Sequence, residues 1–230
     1  LVTDAIADLY FCPSRTAVEN LKKSNVEGKI VQSGDPVIDL LVAGRKHIDR
    51  PELLAEYGLT PGGYIFATCH RQSNTNHRAA LENVLRIFAD AHLPVLFPVH
   101  PRTMKAIKSF GLDHYLQDKN IRVIEPIGFW DTQALIAQSD RVLTDSGGII
   151  KEAYFHGKYV LVLDNQTEWI EVLNEGKGIV CGANYEAVMR HLKNIPDTAT
   201  PNTALGDGTA SKLIAEGILD FLEEILDHSE

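Results

Sequence analysis

A strand, a glycine turn and a helix follow one another in the second half of the chain, and this unit restricts the fold more than any other stretch. Residues 141–143 form a short run with valine and leucine at its end, which predicts a buried strand. Ile150, Ala153 and Tyr154 have the i, i+3, i+4 spacing of an apolar helix face, and Gly157 is placed to end that helix. Such strand–turn–helix units are typical of α/β proteins with a parallel sheet.

The turn between this strand and helix is a candidate anion site. Ser146 is placed to cap the helix, and Gly147 and Gly148 let the backbone pass close to a ligand. Free amides and the positive end of the helix dipole then face one point, which favours an anion such as phosphate. Glu152, about one turn further on, suits paired hydroxyls such as those of a ribose, because a carboxylate can accept both. A tight turn with a solvated Glu152 is the alternative interpretation, and this stretch alone leaves it open.

Composition limits the classes to which the chain can belong. Its 230 residues suffice for one large or two small domains, with 44% hydrophobic and 23% charged residues as in ordinary globular proteins. No run approaches the roughly 20 apolar residues of a membrane helix, and the net charge of −9 argues against nucleic-acid binding. The three cysteines are isolated, which predicts a reducing, cytoplasmic compartment with no disulfide and no metal site. The chain opens on Leu1 with a pattern already under way, so we expect a missing upstream segment.

Six strand-like runs alternate with helices, which predicts an α/β fold with a Rossmann-like, doubly wound parallel sheet. The six runs are residues 64–68, 95–99, 122–124, 141–143, 159–163 and 179–181. We expect residues 1–35 to be a remnant of a preceding N-terminal domain and residues 36–208 to form the Rossmann-like domain. We expect residues 209–230 to form a C-terminal helix that packs back toward the preceding domain. Residues 36–57 are predicted to be helical and to act as a hinge.

Polar side chains follow several of these strands, where ligands bind in doubly wound sheets. His70 and Arg71 follow the first of the six strands, and His100 and Arg102 follow the second. A lone histidine is often structural, but two His–Arg clusters beside a glycine turn favour a phosphate site. Cys69 is not expected to act as a nucleophile with His70, because neighbouring side chains on a strand point to opposite faces.

Two common nucleotide-binding signatures are missing from the sequence. There is no G-x-G-x-x-G, so a nicotinamide cofactor is not indicated. No Lys-Ser/Thr pair follows the two glycines of the turn, so a nucleoside triphosphatase is not indicated either. We therefore expect a phosphate-containing ligand and no cofactor.

With these motifs the chain resembles the C-terminal part of the UDP-N-acetylglucosamine 2-epimerase family, whose members have the two-Rossmann-domain glycosyltransferase-B fold. The resemblance covers nearly the whole chain and is strongest at residues 3–8, 13–14, 34–39, 68–71, 100–103, 144–153 and 157–158. The glycine-turn and His–Arg segments together are fairly specific, and either alone is weak. The family motif Pro-Glu-Glu-x-Asn-Arg is expected just before Leu1 and is absent, so about the first half of a family member is missing.

The resemblance implies a nucleotide-sugar-binding domain and gives roles to its main residues. It implies that His70 is catalytic and touches the UDP-sugar near its phosphates. It implies that Ser146, Gly147 and Gly148 hold the diphosphate. It also implies that Glu152 holds the ribose hydroxyls, in agreement with the interpretation of the turn itself.

The remaining substrate-binding residues also follow from the resemblance. It implies that Phe129, or the backbone around Ile127, lies against the uracil. It implies that Arg71 and His100 reach a second, activating UDP-sugar, as in non-hydrolysing bacterial members. Arg102 belongs to the same expected substrate-binding set.

The sequence departs from the family pattern at three places. Trp169 stands where an arginine usually meets the substrate, residues 72–74 read Gln-Ser-Asn where Arg-Glu-Asn is common, and Thr132 takes a place that is often aromatic. A Thr-Glu-Trp segment resembles members that act on modified sugars. The exact UDP-sugar therefore stays open.

The reaction implied by the resemblance is inversion of a UDP-sugar at C2 through elimination and re-addition of UDP, in cell-envelope polysaccharide biosynthesis. This chain would supply the UDP-binding half, and the acid and base carboxylates would come from the missing domain. Two alternatives are a glycosyltransferase of the glycosyltransferase-B type and a nucleotide-sugar-binding module without catalysis. The expected partners are a UDP-sugar and a second copy of the chain in a homodimer, with no nucleic acid and no membrane.

Overall fold

The computed structural model describes residues 2–193 and 202–227. The chain divides into two compact units. The first unit comprises Leu1–Lys46 and Asn202–Glu230, and the second comprises His47–Pro201. Each unit has a parallel sheet of its own.

The secondary structure alternates between strands and helices along both units. In chain order the strands are β1 (Leu9–Cys12), β2 (Lys29–Gln32), β3 (Ile65–Thr68), β4 (Val95–Pro98), β5 (Ile121–Ile124), β6 (Arg141–Thr144), β7 (Tyr159–Val162) and β8 (Gly178–Val180). The α-helices are α1 (Val2–Ile6), α2 (Arg15–Lys23), α3 (Pro36–Ala43), α4 (Pro51–Glu56), α5 (Gln72–Thr75), α6 (Arg78–Ala89), α7 (Pro101–Ser109), α8 (Phe129–Gln138), α9 (Gly147–Phe155), α10 (Ile170–Asn174), α11 (Tyr185–Lys193) and α12 (Ala210–Asp227). Short 3-10 helices occur at Arg45–His47 and Asp113–Gln117. Within the described stretches, no helix is long and apolar enough to cross a membrane.

The observed division differs from the predicted domain boundaries in two places. Residues 36–46 and 202–208 group with the first unit instead of with the large sheet. One reason is a backbone hydrogen bond in which the N–H of Asp35 donates to the carbonyl of Leu205 at 2.8 Å. That residues 1–35 are a remnant of a preceding domain stays a prediction, as does the hinge.

The second unit contains a six-stranded parallel sheet in the order β5-β4-β3-β6-β7-β8. This order confirms the predicted Rossmann-like, doubly wound fold. The strand order reverses between β3 and β6, which lie side by side with Thr68 opposite Thr144. The hydroxyl oxygens of these two threonines are 2.5 Å apart. Because ligands of such sheets bind where the strand order reverses, the functional site is expected next to these two carboxyl ends.

Helix α6 shows how the sheet of the second unit is covered. Leu81, Val84, Leu85 and Phe88 are fully buried against the strands, as the amphipathic spacing predicts. The helix ends at Ala89, and its C-cap is Asp90. Burial of a large apolar side chain contributes about 1.5–3 kcal/mol, so this face fixes the helix on the sheet.

The first unit pairs β1 with β2 in parallel and carries α12 close to the sheet. A Cβ on Gly217 would stand 2.9 Å from Cε1 of Phe11, so the helix passes within contact of β1 at this glycine. Lys29 forms a 2.6 Å ion pair with Glu224 of the same helix. Several large apolar side chains of α12 are exposed: Leu213, Ile218, Leu219, Leu222, Ile225 and Leu226. Packing of this helix toward a preceding domain, or against a second copy, stays a prediction.

Asp39 of α3 caps the first turn of α12. Its carboxylate accepts hydrogen bonds from the backbone N–H groups of Ala210 at 3.0 Å and Ser211 at 2.5 Å. Burial alone would raise the pKa of Asp39, but the hydrogen bonds from Ser211 and Ala210 lower it. A carboxylate at a helix N-terminus stabilises the helix through these bonds and through the helix dipole.

We expect Asp39→Ala to lower the free energy of unfolding by about 1 kcal/mol, as for other lost helix caps. The pKa of Asp39 is lower in the folded than in the unfolded chain. Its stabilisation is therefore fully present above the unfolded pKa of about 3.9 and is lost as the pH falls through the folded pKa. Urea titrations at neutral and at acidic pH test this, with exposed Asp220→Asn on α12 as the control. An equal loss in both variants, or a loss that persists in acid, would contradict the capping role.

Candidate functional site

The glycine turn joins the carboxyl end of β6 to the start of α9. Ser146 has the extended backbone of a helix N-cap, and its hydroxyl accepts the N–H of Ile149 at 3.5 Å. Its own N–H donates to Oγ1 of Thr144 at 2.9 Å. Gly157, with φ of +69°, follows the end of α9. The predicted cap and stop are thus confirmed. The N–H groups of Gly147 and Gly148 come before the first intrahelical acceptors of α9, as at any helix start.

Asp145 organises the backbone around this turn. Its fully buried carboxylate accepts the backbone N–H groups of His70 and Arg71, each at 2.9 Å. It also accepts an N–H of the Asn74 side chain at 2.9 Å, and the same amide donates to the carbonyl of Leu163 at 2.8 Å. These bonds join the segments that follow β3, β6 and β7 into one rigid edge. From the sequence, Asp145 was only one of several polar residues after a strand. Its role in holding the backbone of the neighbouring segment was not predicted.

A cavity of about 230 Å³ opens beside the turn. Its lining includes His70, His100, Ile127 and Ser146. The His70 imidazole is 41% exposed, with Nδ1 3.6 Å from Oδ1 of Asp145 and its ring centroid 6.1 Å from that of His100. The structure therefore brings together His70, His100 and Ser146 of the predicted site with the segment around Ile127, although their roles toward a ligand stay predictions.

Arg71 lies beside the turn and is held by two carboxylates. Its Nη1 is 2.7 Å from Oδ2 of Asp164, and its Nη2 is 3.4 Å from Oε1 of Glu168. Burial alone would lower the pKa of the guanidinium, but the hydrogen bond to Asp164 and the charge of Glu168 raise it. The Glu168 carboxylate also fills the space where a Cβ on Gly147 would stand, so a larger residue at this position would displace the Glu168 side chain. A contact of Arg71 with a second UDP-sugar stays a prediction.

Trp169, the main departure from the family pattern, lies against the same turn. Its indole Nε1 would be 3.4 Å from a Cβ on Gly147. This nitrogen is buried and has no hydrogen-bond acceptor among the described residues. The ammonium of Lys151 lies 5.0 Å from the centroid of the indole ring, at cation–π distance. The residue that replaces the usual arginine thus contributes an apolar ring and one N–H donor at the edge of the anion site.

Glu152 is held by a buried glutamine. Nε2 of Gln133 donates to Oε2 of Glu152 at 2.6 Å, and Oε1 of Gln133 is 3.0 Å from Nε2 of His156. Burial raises the pKa of Glu152, and the bond from Gln133 and the charge of Lys151 oppose that effect. The prediction for Glu152 did not include Gln133 or His156, because neither the helical spacing nor a motif distinguishes them from ordinary helix residues.

Six residues of the predicted set are not part of the cavity lining: Arg71, Arg102, Phe129, Gly147, Gly148 and Glu152. Arg102 and Phe129 make their contacts elsewhere. The backbone N–H of Arg102 donates to Nδ1 of His100 at 3.2 Å, but the Arg102 side chain lines a separate depression with Lys105. Helix α8 begins at Phe129, after Gly128, which has the extended backbone of its N-cap. The Phe129 ring packs edge-on against Trp130 at 4.9 Å. Of the two candidates for the uracil contact, the segment around Ile127 is therefore the one at the cavity.

Cys69 is fully buried at the end of β3. Burial raises the pKa of its thiol well above the usual value, and the charge of Asp145 acts in the same direction. A thiol is a poor nucleophile when it stays protonated. The structure therefore agrees with the expectation that Cys69 is not a nucleophile.

A Rossmann-like domain with a helix start at its topological switch point belongs to the class of folds in which nucleotides bind. A sequence model of the UDP-N-acetylglucosamine 2-epimerase family matches residues 1–219. The chain belongs to this family. Its large sheet is the Rossmann-like C-terminal domain of a glycosyltransferase-B-type fold, as the sequence predicted.

Curated relatives and solved structures agree with this family. The chain is 34% identical over 220 residues to a UDP-N-acetylglucosamine 2-epimerase homolog of Methanococcus maripaludis, covering 94% of this chain and 62% of the relative. It is 34% identical over 224 residues to the UDP-2,3-diacetamido-2,3-dideoxy-D-glucuronate 2-epimerase of Pseudomonas aeruginosa, covering 94% and 61%. The crystal structure of the Methanocaldococcus jannaschii UDP-GlcNAc 2-epimerase with UDP-GlcNAc and UDP superposes with a TM-score of 0.84 at 27% identity, covering 96% and 63%. The chain thus spans about three fifths of the length of these proteins.

Proposed function

We propose that this chain is the UDP-binding half of a UDP-sugar 2-epimerase that inverts the sugar at C2. The observation that supports this most directly is the shared cavity of His70 and Ser146 at the start of α9. This arrangement suits a diphosphate, because helix-start amides and an imidazole converge on one point. The position of Glu152 one turn into α9 suits the adjoining ribose.

The proposed binding half supplies leaving-group stabilisation. UDP leaves C1 as the C2 proton is removed, and it adds back after the proton returns to the opposite face. His70 and the amides of Gly147 and Gly148 stabilise the negative charge on the departing diphosphate. Glu152 holds the ribose, and the segment around Ile127 faces the uracil. These groups keep UDP bound while the glycal intermediate exists.

The C2 proton requires a carboxylate base, and the carboxylates at this edge already have partners in the protein. Asp145 accepts three N–H groups, Asp164 pairs with Arg71, and Glu152 accepts from Gln133. We therefore place the acid and base in a preceding domain of a longer, cytoplasmic enzyme of cell-envelope polysaccharide biosynthesis. The coverage of about three fifths of each relative supports this division.

The proposed substrate is a UDP-linked 2-acetamido sugar. UDP-N-acetylglucosamine is the first candidate, since the family model has that name. Trp169 favours a second candidate, a diacetamido uronate such as the one in the name of the Pseudomonas relative. An indole N–H beside the turn cannot form the bidentate contacts of the arginine that usually stands there, so the sugar contacts must differ.

We expect His70→Ala to weaken UDP binding by about 1–3 kcal/mol, roughly fivefold to 150-fold, because it removes a hydrogen bond to a charged phosphate. Titration calorimetry with UDP measures the loss. The affinity for uridine should change little in this variant, because uridine has no phosphate for His70 to contact. Exposed His77→Ala, a residue before α6, is the matched control. Unchanged UDP affinity in His70→Ala would remove His70 from the site. Absence of UDP binding by the native chain would refute the proposed function itself.

A further inference from the structure

Gln133, Glu152 and His156 form a hydrogen-bonded row beneath the glycine turn. Gln133 lies on α8 and is fully buried, whereas Glu152 lies on α9 and His156 is its C-cap. We propose that Gln133 is a positioning residue that fixes the Glu152 carboxylate toward the ribose hydroxyls, with His156 holding Gln133 in the required orientation. This inference rests on the proposed function, because it deepens the role of Glu152 in binding UDP.

The direction of each hydrogen bond follows from the chemistry of the three groups. An ionised carboxylate can only accept, so Nε2 of Gln133 donates to Oε2 of Glu152 across 2.6 Å. The carbonyl of the same amide then faces His156, whose Nε2–H donates to it across 3.0 Å. A flipped amide would set its carbonyl oxygen against the carboxylate. Glu152 therefore selects one orientation of the Gln133 amide, and that orientation in turn pairs with the Nε2–H tautomer of His156.

The row leaves one oxygen of Glu152 on the side of the turn. Oε2 is bound by Gln133, whereas Oε1 is 3.7 Å from the point where a Cβ on Gly148 would stand. Rotation of the carboxylate would break a bond in a buried place, where an unsatisfied group is costly. The carboxylate is thus presented in one orientation, and a ribose beside the turn meets an acceptor whose position is already fixed.

A purely structural role for Gln133 makes a different prediction. If the residue only joined α8 to α9, its loss would weaken the whole binding site and affect every nucleotide equally. If it positions Glu152, its loss affects only ligands that use this carboxylate. The two roles therefore separate when a nucleotide with the 2′-hydroxyl is compared with one without it.

The test is titration calorimetry of Gln133→Leu with UDP and with 2′-deoxy-UDP. The native chain is expected to prefer UDP, and the variant should lose about tenfold in UDP affinity, the effect of about one hydrogen bond. Its affinity for 2′-deoxy-UDP should change much less, so the preference disappears. Gln138→Leu is the matched control, since it makes the same change at the last residue of the same helix, α8.

A double variant tests whether Gln133 affects UDP binding through Glu152 or through the whole site. In Glu152→Ala, adding Gln133→Leu should cause no further loss of UDP affinity, because the group that Gln133 positions is gone. His156→Ala is a milder change and should reduce the preference for UDP over 2′-deoxy-UDP by about threefold. It replaces Gln133→Leu in the test if that variant fails to fold.

The outcomes separate this inference from the proposed function. An equal loss for both nucleotides, or an additive loss in the Glu152→Ala background, would overturn the positioning role. So would an unchanged preference for UDP in both Gln133→Leu and His156→Ala. In each of these cases the native chain still binds UDP, whereas no binding by the native chain would refute the proposed function instead.

Discussion

Replacement of Asp145 by alanine is expected to lower the free energy of unfolding by about 3 kcal/mol or more and to remove measurable UDP binding. The variant leaves the backbone N–H groups of His70 and Arg71 and the amide of Asn74 without their buried acceptor. Each unsatisfied buried donor costs about 1–3 kcal/mol. The segment after β3 would also lose its fixed position beside the turn, and the proposed phosphate contact of His70 depends on that position.

Urea denaturation and UDP calorimetry measure the two effects of the Asp145 change. Asp145→Asn retains the shape of the side chain but replaces one acceptor oxygen with an N–H₂ group. That group would face the N–H donors of His70, Arg71 or Asn74. It should therefore lose stability as well, by a smaller amount than Asp145→Ala. Exposed Asp113→Asn in the same unit is the control. Native stability and native UDP affinity in Asp145→Asn would show that the carboxylate does not organise the site.

The second large effect concerns the reaction. We expect the 230-residue chain alone not to exchange the C2 proton of UDP-N-acetylglucosamine with solvent, although it binds UDP. Its rate should lie at least about 10⁶-fold below that of an enzyme, because the proposed base is supplied by another domain. Incubation in deuterated solvent followed by NMR of the C2 position measures the exchange.

Two controls make a negative exchange result informative. UDP binding by the same sample shows that the chain is folded, and a full-length relative from the family shows that the assay detects exchange. Exchange at an enzymatic rate by this chain would mean that it contains the base. Glu168 would then be the first carboxylate to replace, because its side chain is 53% exposed beside the turn. Asp145 would come second, since its carboxylate is buried.

Local sequence patterns were sufficient to predict the turn and the sheet. Ser146 and the glycines after it form a cap whose geometry depends on a few neighbouring residues. The four inner strands of the second unit, β3, β4, β6 and β7, are short and mostly buried, so their apolar pattern is strong. The alternation of these runs with helices was enough to predict the parallel, doubly wound arrangement.

The features that the sequence did not predict depend on contacts between distant segments. Asp145 and Gln133 are important because of hydrogen bonds to residues on other strands and helices. No local sequence pattern around either residue indicates which distant residue it will bond. Arg102 was predicted from its position after a strand, but its side chain follows the first turn of α7 to a different depression. The grouping of residues 36–46 and 202–208 with the first unit was not predicted, because the hydrogen bond between Asp35 and Leu205 joins parts of the chain that lie far apart in sequence.

The bonds at Asp145 also bear on the order in which the second unit acquires its structure. The glycine turn is local and can form once β6 and α9 are present. The bonds from His70 and Arg71 to Asp145 span 75 and 74 residues, so they require closure of a long loop and the pairing of β3 with β6. A nascent chain that ends before β6 would contain both of these residues without the carboxylate that sets their backbone. The two halves of the site meet only after the centre of the sheet is complete.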